Sequence, residues 1–412
     1  MSDQTLLARA RTVRYTTIVL ALLAILTVSA VRIVTGADRL TTPGTLRQAL
    51  IAACPILLAG LGGLWAERAG IVNIGLEGQM LLGTWGAAFF AYHHGPVAGI
   101  LGAAAMGLLG GLLHAVATVT FGVDHIISGV ALNIIGLGAV GFLAKSFFDG
   151  LPGGGPRNLS GYGTPPTITI PGVSDGARSV AEQHWFLVSD VAAAVAAVTT
   201  NLSVLTILVI VLVVVTAWVL WRTPFGLRLR SCGENPQAAE TLGVNVYLYK
   251  YVAVLISGGF AGLGGAYLTM VSSSSFTVGQ TGGRGYIGLA AMIFGNWRPG
   301  GVLTGSLMFG YADGLSLLPD NGPLVHALLL LVAVFLLAYA VLKFRAEEVR
   351  TAVVVAIIAL GALVWYFTTT RVPTAFTGMT PYVITLFVLS VASQRLRMPA
   401  ADGKPYRRGS AG

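Results

Sequence analysis

The sequence of 412 residues is poor in charged side chains and in cysteine. Asp, Glu, Lys and Arg together make up 10% of it, which is too little to cover a soluble globule of this size, whereas 55% of the residues are hydrophobic and the mean hydropathy is +0.79. The two cysteines, Cys54 and Cys232, lie in an apolar run and in a basic loop, so we expect neither a disulfide nor a metal site. These shortages exclude a soluble globular protein and predict an all-α polytopic membrane protein.

Enzyme motifs are also missing. No G-x-x-x-x-G-K-[ST] loop occurs, so the chain cannot bind and hydrolyse ATP by P-loop chemistry. The histidines form no constellation, because His114 stands alone in an apolar segment and His125 follows Asp124 at a helix start that the Asp caps. We therefore expect no catalytic residue, no cofactor and no metal. Energy for any transport must come from a partner or from an ion gradient.

A dense basic patch is absent as well. The formal net charge is +9, but the Lys and Arg residues are spread over short loops and both termini, a pattern that sets membrane topology rather than nucleic-acid binding. Membrane lipid is thus an expected partner and nucleic acid is not. With a cytoplasmic N-terminus (residues 1–15), alternation of the spans also makes the loop 223–247 and the basic tail 395–412 cytoplasmic and the loop 149–201 extracytoplasmic.

Long hydrophobic runs are what the sequence has in abundance. Most reach the roughly 20 residues that a spanning helix needs, and the run 285–297 is short enough to be a half-helix. We expect about 10–12 transmembrane helices in a domain from 16 to 394, and whether 46–64 or 285–297 re-enters stays open. The runs lie near residues 16–35, 46–64, 71–92, 97–120, 125–148, 203–222, 248–271, 285–297, 301–318, 324–343, 351–370 and 377–394.

The longest stretch between two hydrophobic runs covers residues 149–201. It begins with D-G-L-P-G-G-G-P, whose turn-forming residues exclude a helix, whereas the alanine-rich part at 191–200 is compatible with a short surface helix. Two interpretations stay open, a loop without function and a docking surface for an external partner.

Polar side chains interrupt the apolar sequence between Glu67 and Gly83, in E-R-A-G-I-V-N-I-G-L-E-G-Q-M-L-L-G. Because polar groups are costly in hydrocarbon, we predict that Asn73, Glu77 and Gln79 line a path for a polar solute. On a continuous helix Gln79 would point about 160° away from Glu77, so a break at the glycines is needed to bring the three together. The alternative is a buried, hydrogen-bonded knot that fixes helix packing.

Two short strings indicate internal duplication. A-G-L-G-G-L-W at 59–65 recurs as A-G-L-G-G-A-Y at 261–267, and I-G-L-E-G-Q-M-L-L-G at 74–83 has an echo, I-G-L-A-A-M-I-F-G, at 287–295. Five segments separate the copies, and an odd offset predicts inverted five-helix repeats with a transport site between them. The alternative is a chance recurrence of small-residue strings.

The loop from 223 to 245 contains the start and stop signals of a short helix. Asn235 can cap it, Pro236 suits its first turn, the residues 237–242 favour a helix, and Gly243 can end it in the left-handed conformation. Because an isolated helix of two turns is hardly populated in water, we expect it to pack against something. Alternatively it is a capped surface helix whose neighbouring arginines only enforce topology.

Three motifs in this order resemble the permease subunits of bacterial ABC importers for nucleosides and simple sugars, in the branched-chain amino acid and ribose permease superfamily. They are V-N-I-G-L-E-G-Q-M-L-L-G, then G-L-R-L-R-S-C-G-E-N-P-Q-A-A-E-T-L-G-V-N, then G-R-G-Y-I-G-L-A-A-M-I-F-G-N-W-R-P. The resemblance covers roughly residues 45–340, and N-I-G-L-E-G looks more like the nucleoside group than the ribose and galactose permeases. The chain departs from the family in its long 149–201 loop and in its segments after about 345.

The resemblance implies partners and a location. Such importers combine two permease subunits, here a related but different second permease, with ATP-binding cassette ATPase subunits and an extracytoplasmic substrate-binding lipoprotein. The chain would then be a multi-pass protein of the bacterial cell membrane with both termini cytoplasmic, and its 223–247 loop would carry the coupling helix that docks in a groove of the ATPase. The residues that would take this coupling role are Gly233, Glu234, Asn235, Pro236, Gln237, Ala238, Ala239, Glu240 and Gly243.

A second set of candidate path residues follows from the same resemblance. Phe276, Gln280 and Tyr286 can face a nucleobase or a sugar, or alternatively serve as packing and interface anchors. A secondary transporter driven by an ion gradient, in which Glu77 or Glu67 would carry a proton or help to bind sodium, is the alternative function, and a passive channel is a third. The capped short helix at 235–242 argues against both, since neither a gradient-driven carrier nor a passive channel needs a coupling element.

Overall fold

The computed structural model describes residues 26–380 and 396–408. Most of these residues fold into helices, and seven of the described helices are long and apolar enough to cross a membrane. The predicted all-α polytopic membrane protein is therefore confirmed. Of the predicted segments, 16–35 is described only from residue 26, and 377–394 lies largely outside the described residues.

The predicted apolar segments from 46–64 to 351–370 all contain a helix. One difference concerns the start of the segment 71–92, because its helix begins only at Leu76. In chain order the helices are α1 (Leu26–Thr35), α2 (Pro43–Arg68), α3 (Leu76–His94), α4 (Pro96–Ala115), α5 (His125–Phe148), α6 (Val173–Ala181), α7 (Val188–Thr199), α8 (Val204–Arg222), α9 (Pro224–Glu234), α10 (Pro236–Thr241), α11 (Val246–Tyr267), α12 (Arg284–Phe294), α13 (Pro299–Ser316), α14 (Gly322–Arg345), α15 (Val349–Thr368) and α16 (Thr374–Thr377).

The described residues divide into two compact units. The first contains α1, α6, α7, α14 and α15, and the second contains α3 to α5 and α8 to α12 together with most of α2 and α13. The first unit comprises residues 26–48, 169–200 and 313–380, and the second comprises 49–168, 201–312 and 396–408.

Glycines let three helices of the second unit approach to backbone contact. A Cβ atom added at Gly83 of α3 would overlap the carbonyl oxygen of Gly262 in α11, and one at Gly107 of α4 would overlap that of Gly258. Small residues at such crossings allow close packing without a hydrophobic driving force. These glycines therefore place α3, α4 and α11 in direct backbone contact inside the unit.

Each duplicated string packs against the helix that carries the other string. A Cβ atom at Gly62, in the first copy, would lie 2.7 Å from the carbonyl oxygen of Ser257, and one at Gly264, in the second copy, would lie 3.3 Å from that of Pro55. The small residues of 59–63 and 258–265 thus serve packing within this chain.

The 149–201 stretch begins without a helix, as predicted, and contains short strands. The strand β1 (Gly154–Gly155) pairs with β2 (Asn158–Leu159), β3 (Thr167–Ile168) pairs with β4 (Leu202–Ser203), and β2 also pairs with β5 (Phe276–Thr277), all antiparallel. The helix predicted at 191–200 is present as α7, whereas α6 was not predicted.

A buried ion pair joins two elements of the first unit. Arg32 of α1 and Asp190 of α7 are 2% and 4% exposed, and the Arg32 Nε lies 3.4 Å from Asp190 Oδ1. The guanidinium also donates to the carbonyl oxygens of His184 and Trp185. Such bonds to charged groups compensate part of the desolvation cost of the buried pair.

Candidate translocation site and coupling loop

The chain between α2 and α3 is not helical. It leaves the helix after Arg68, turns at Gly70, whose φ of +82° favours glycine, and stays irregular until Leu76. This is the break that the glycine-rich sequence predicted. It turns polar side chains and backbone groups inward in the middle of the second unit.

The break brings Asn73 and Gln79 together. Asn73 Nδ2 donates to Gln79 Oε1 over 3.0 Å and to Ser257 Oγ of α11 over 2.8 Å, and Gln79 Nε2 donates back to Asn73 Oδ1 over 3.3 Å. All three side chains are fully buried. Because buried amides must be paired, this cluster fixes α3 against α11.

Glu77 points away from that cluster and binds the start of α12. Its Oε1 accepts hydrogen bonds from Thr281 Oγ1 at 2.6 Å and from the Gly283 N–H at 2.8 Å, and its Oε2 accepts one from the Gly285 N–H at 2.7 Å. A carboxylate at a helix N-terminus is stabilised by the free N–H groups and by the helix dipole. A Cβ atom at Gly285 would lie 2.7 Å from Glu77 Cα, so the site requires glycine there. Glu77 therefore joins the start of α3 to the start of α12.

Asn133 of α5, which the sequence did not indicate, lies beside these side chains. Asn73, Glu77, Gln79 and Asn133 are together called the polar layer. Asn133 Oδ1 accepts from the Gly78 N–H at 2.7 Å, while Nδ2 donates to the Ile74 carbonyl at 3.0 Å and to the Tyr286 hydroxyl at 2.9 Å. The side chain thus satisfies backbone groups that the break leaves without helix partners. A lone Asn in an apolar segment was the available signal.

Two histidines hold the irregular segment at Val72. The ring of His125 accepts from the Val72 N–H through Nδ1 at 3.2 Å, and Nε2 of His114 lies 3.0 Å from the Val72 carbonyl oxygen. The other ring nitrogen of His114 lies 2.9 Å from Ser128 Oγ. Both rings therefore take structural positions, as their isolation in the sequence predicted.

The other predicted path residues lie in different environments. Phe276 is fully buried and contacts Phe148 edge to face at 5.2 Å between ring centroids, so it packs in the core. Gln280 accepts from the Thr277 N–H of its own loop and donates to Thr269 in the helical turn that follows α11. Tyr286 is 46% exposed.

The predicted short helix in the 223–247 loop is present as α10. Asn235 Oδ1 accepts from the Ala238 N–H at 3.0 Å, and Gly243 ends the helix with a φ of +81°. Ala238 is exposed, whereas Ala239 is buried against Cys232 of α9. Helix α9 itself was not predicted.

Burial raises the pKa of the Cys232 thiol to about 11. The thiol is therefore protonated at neutral pH and packs as a small apolar group. The described residues contain no group of His, Cys, Asp and Glu that could hold a metal ion.

The loop touches the irregular segment at a crossing of two glycines. A Cβ atom at Gly70 would lie 3.2 Å from Gly233 Cα, and one at Gly233 would lie 3.0 Å from the Gly70 nitrogen and overlap the Arg68 carbonyl oxygen. Only two residues separate Gly70 from Asn73. The end of α9 is therefore in direct backbone contact with the irregular segment that carries Asn73.

The end of α2 is fixed on its other side by Trp297. Its indole Nε1 donates to Glu67 Oε2 at 2.5 Å, and its carbonyl oxygen accepts from Arg68 Nη2 at 2.6 Å. Both charged residues thus have partners within the chain.

The family model described as branched-chain amino acid transport system / permease component matches residues 45–338. The chain belongs to this permease family. It is 32% identical over 372 residues to the guanosine ABC transporter permease protein NupQ of Bacillus subtilis, which is 87% of this chain and 95% of the relative. It is 34% identical over 339 residues to the putative glucose ABC transporter permease protein TsgC13 of Haloferax volcanii, with 75% and 94% covered.

A further relative is the guanosine ABC transporter permease protein NupP of Bacillus subtilis, 28% identical over 298 residues, with 69% of this permease and 78% of the relative covered. No solved structure matches the permease. These relatives confirm the predicted ABC permease and with it a translocation subunit rather than an enzyme. They also decide against the ion-gradient-driven alternative.

Proposed function

We propose that the permease forms the translocation path for nucleosides in an ATP-driven importer, with simple sugars as the second candidate class. The observation that carries this proposal is the match to the guanosine permease NupQ over 87% of the chain. The glucose permease relative supports the sugar class. Both kinds of solute are polar and have a flat or puckered ring face that an aromatic side chain can cover.

The proposed path runs along the start of α12. Tyr286 has the largest exposed fraction among the six predicted path residues, and its ring can stack on a base or a sugar. Asn73, Glu77 and Gln79 form the enclosed polar layer behind it and meet the solute when α12 moves away from Asn133. This movement would break the hydrogen bonds of Glu77 to Thr281, Gly283 and Gly285 at the start of α12.

The 223–247 loop is proposed to dock a separate ATP-binding cassette ATPase. Ala238 presents a small exposed side chain on α10, and Leu242, just after the helix, is 85% exposed. A small residue beside an exposed leucine suits insertion into a groove of another protein. Closure of the ATPase would then shift α10, α9 and, through Gly233, the segment at Gly70.

The proposed assembly contains a second, related permease. Two Bacillus subtilis relatives, NupQ and NupP, share the description guanosine ABC transporter permease protein, which supports a pair of different permeases. Two coupling helices would then serve two ATPase subunits. A substrate-binding lipoprotein on the side of the 149–201 loop and cytoplasmic termini in the bacterial cell membrane complete the proposal.

The test measures uptake of radiolabelled guanosine, uridine and ribose into cells with an intact ion gradient. The neighbouring ATPase is replaced by a variant without its catalytic carboxylate, and the neighbouring binding protein is titrated with the same solutes by calorimetry. Loss of nucleoside uptake with the inactive ATPase is expected. Uptake that continues under those conditions contradicts the ATP-driven importer, and binding of a sugar alone contradicts the nucleoside assignment.

A further inference from the structure

We propose that residues 396–408, here called the strap, position the coupling helix α10, and that Tyr406 and Arg408 of the strap do so through Glu240. The inference rests on the proposed role of α10 in ATPase docking. It assigns a function to a segment that the sequence offered only as a basic tail.

The strap binds α10 directly. The Tyr406 hydroxyl donates to Glu240 Oε2 at 2.5 Å, and Arg408 Nε donates to Glu240 Oε1 at 3.2 Å. The centroid of the Tyr406 ring lies 5.5 Å from the centroid of the Tyr247 ring. It lies 5.8 Å from Lys250 Nζ. Both carboxylate oxygens of Glu240 are thus held by the strap.

The strap also binds the end of α9. The Ala401 N–H donates to the Gly233 carbonyl at 2.9 Å, and the Ala400 N–H donates to Glu234 Oε2 at 3.3 Å. The Ala401 carbonyl oxygen would lie 3.2 Å from a Cβ atom at Gly70. The strap therefore covers the glycine crossing through which α9 contacts the polar layer.

A third contact fixes the strap to the body of the second unit. Asp402 is 6% exposed, and the groups that face its carboxyl are Glu67 and Arg68 from the end of α2 and Lys250 from α11. The Arg397 N–H donates to Asn296 Oδ1 at 2.7 Å. With its middle buried, the strap has a fixed position from which Tyr406 and Arg408 reach α10.

This support matters because α10 has only six residues. So short a helix has little stability of its own, and its orientation depends on contacts with other elements. Its buried residue Ala239 provides one such contact and Glu240 provides the other. When the strap contacts are lost, we expect ATPase closure to move α10 without moving α9 and the segment at Gly70.

The test uses the complete transporter, with both permeases, ATPase and binding protein, in proteoliposomes. ATP hydrolysis and solute uptake are measured together for Tyr406→Phe, for the double variant Tyr406→Phe/Arg408→Ala and for Glu240→Gln. The matched control is Lys404→Ala, which removes an exposed cation of the strap at a position away from Glu240.

The double variant is expected to lower the number of solutes transported per ATP on the order of tenfold, as two hydrogen bonds to a charged group are lost, while ATP hydrolysis continues. Tyr406→Phe alone is expected to give a smaller decrease in this ratio, and Lys404→Ala is expected to give none. Adding Glu240→Gln to the double variant is expected to give no further decrease. A wild-type ratio in the double variant, or the same loss in Lys404→Ala, overturns the inference. Uptake that persists with a catalytically inactive ATPase instead overturns the proposed function itself, so the two failures are distinguishable.

Discussion

The carboxylate of Glu77 accepts a hydrogen bond from the backbone N–H of Gly285, 2.7 Å away and 208 residues further along the chain. The bond joins the start of α3 to the start of α12, the two helices that carry the duplicated I-G-L motif. Each of these helices follows an irregular stretch, so neither N-terminus is covered by preceding helix turns. Glu77 accepts hydrogen bonds from free N–H groups at the start of α12, and Asn133 binds the backbone at the start of α3.

Replacing Glu77 by Gln is expected to lower both stability and uptake. The amide keeps the shape, but its NH2 group faces a backbone N–H, so at least one buried donor is left without an acceptor. The expected loss is about 1–3 kcal/mol in the free energy of unfolding. Thermal unfolding of the purified permease and uptake in cells measure the two effects.

Thr281→Val is the control for this prediction, because it removes one donor and leaves both backbone bonds to Glu77. A smaller loss than in Glu77→Gln is expected. If Glu77→Gln transports normally and Glu77→Leu only lowers expression, the residue belongs to a packing knot and not to the path.

Gly83→Ala is expected to disrupt the crossing of α3 and α11. The added methyl group would overlap the Gly262 backbone, and overpacking of this kind costs about 1–3 kcal/mol. Gly138→Ala, also in a helix, is the matched control, because nothing lies within 4 Å of the added Cβ atom. There we expect a gain of up to about 1 kcal/mol from helix propensity. Equal melting temperatures of the two variants would contradict the glycine-mediated packing.

Much of this fold follows from local sequence signals. The caps of α10 are an example, since Asn235 and Gly243 act within a few residues of their own positions, and the shortness of α12 follows from the length of its apolar run. The break before Leu76 was likewise predictable from its glycines, because geometry required it for Asn73 and Gln79 to meet.

Partners that are distant in sequence could not be predicted in this way. Glu77 was grouped with Asn73 by spacing, yet its partners lie in the loop before α12, and Asn133 carries no local signal beyond being polar. The contacts of Tyr406 with α10 depend on where the chain returns after α15. Local periodicity does not contain that information.

Tyr286 and Phe276 are expected to respond differently to replacement by Ala. Because Tyr286 is 46% exposed, Tyr286→Ala should change the unfolding temperature little and raise the solute concentration needed for half-maximal uptake. Phe276→Ala empties a buried position beside Phe148 and should cost about 3–5 kcal/mol of stability. Uptake that is unaffected in Tyr286→Ala would remove this residue from the path.

The strap is expected to dock more tightly at low pH. Burial raises the pKa of Asp402 to about 7 from its usual value near 3.8, so the docked strap binds a proton that the free strap has lost in this range. The favourable contribution of Asp402 protonation to the free energy of strap docking is complete below about pH 4. It is lost as the pH rises through about 7. Protection of residues 396–408 from proteolysis at pH 5.5 and 8 measures this dependence.

Asp402→Asn should weaken the pH dependence of strap protection, since the amide does not titrate, whereas Lys404→Ala should retain the dependence of the wild type. The charged neighbours Glu67, Arg68 and Lys250 are unchanged in both variants. Equal protection of the wild-type strap at the two pH values would show that Asp402 does not control docking.

The central claim is that α10 transmits ATPase closure to the polar layer. The most direct test is the number of solutes that the Ala238→Trp variant transports per ATP in proteoliposomes. Ala238 is exposed, so the bulky side chain should leave the permease folded and block close docking of α10. We predict that ATP hydrolysis continues and that this ratio falls well below the wild-type value. A wild-type ratio, together with a cross-linker at Gln237 that never captures the ATPase, would contradict the account.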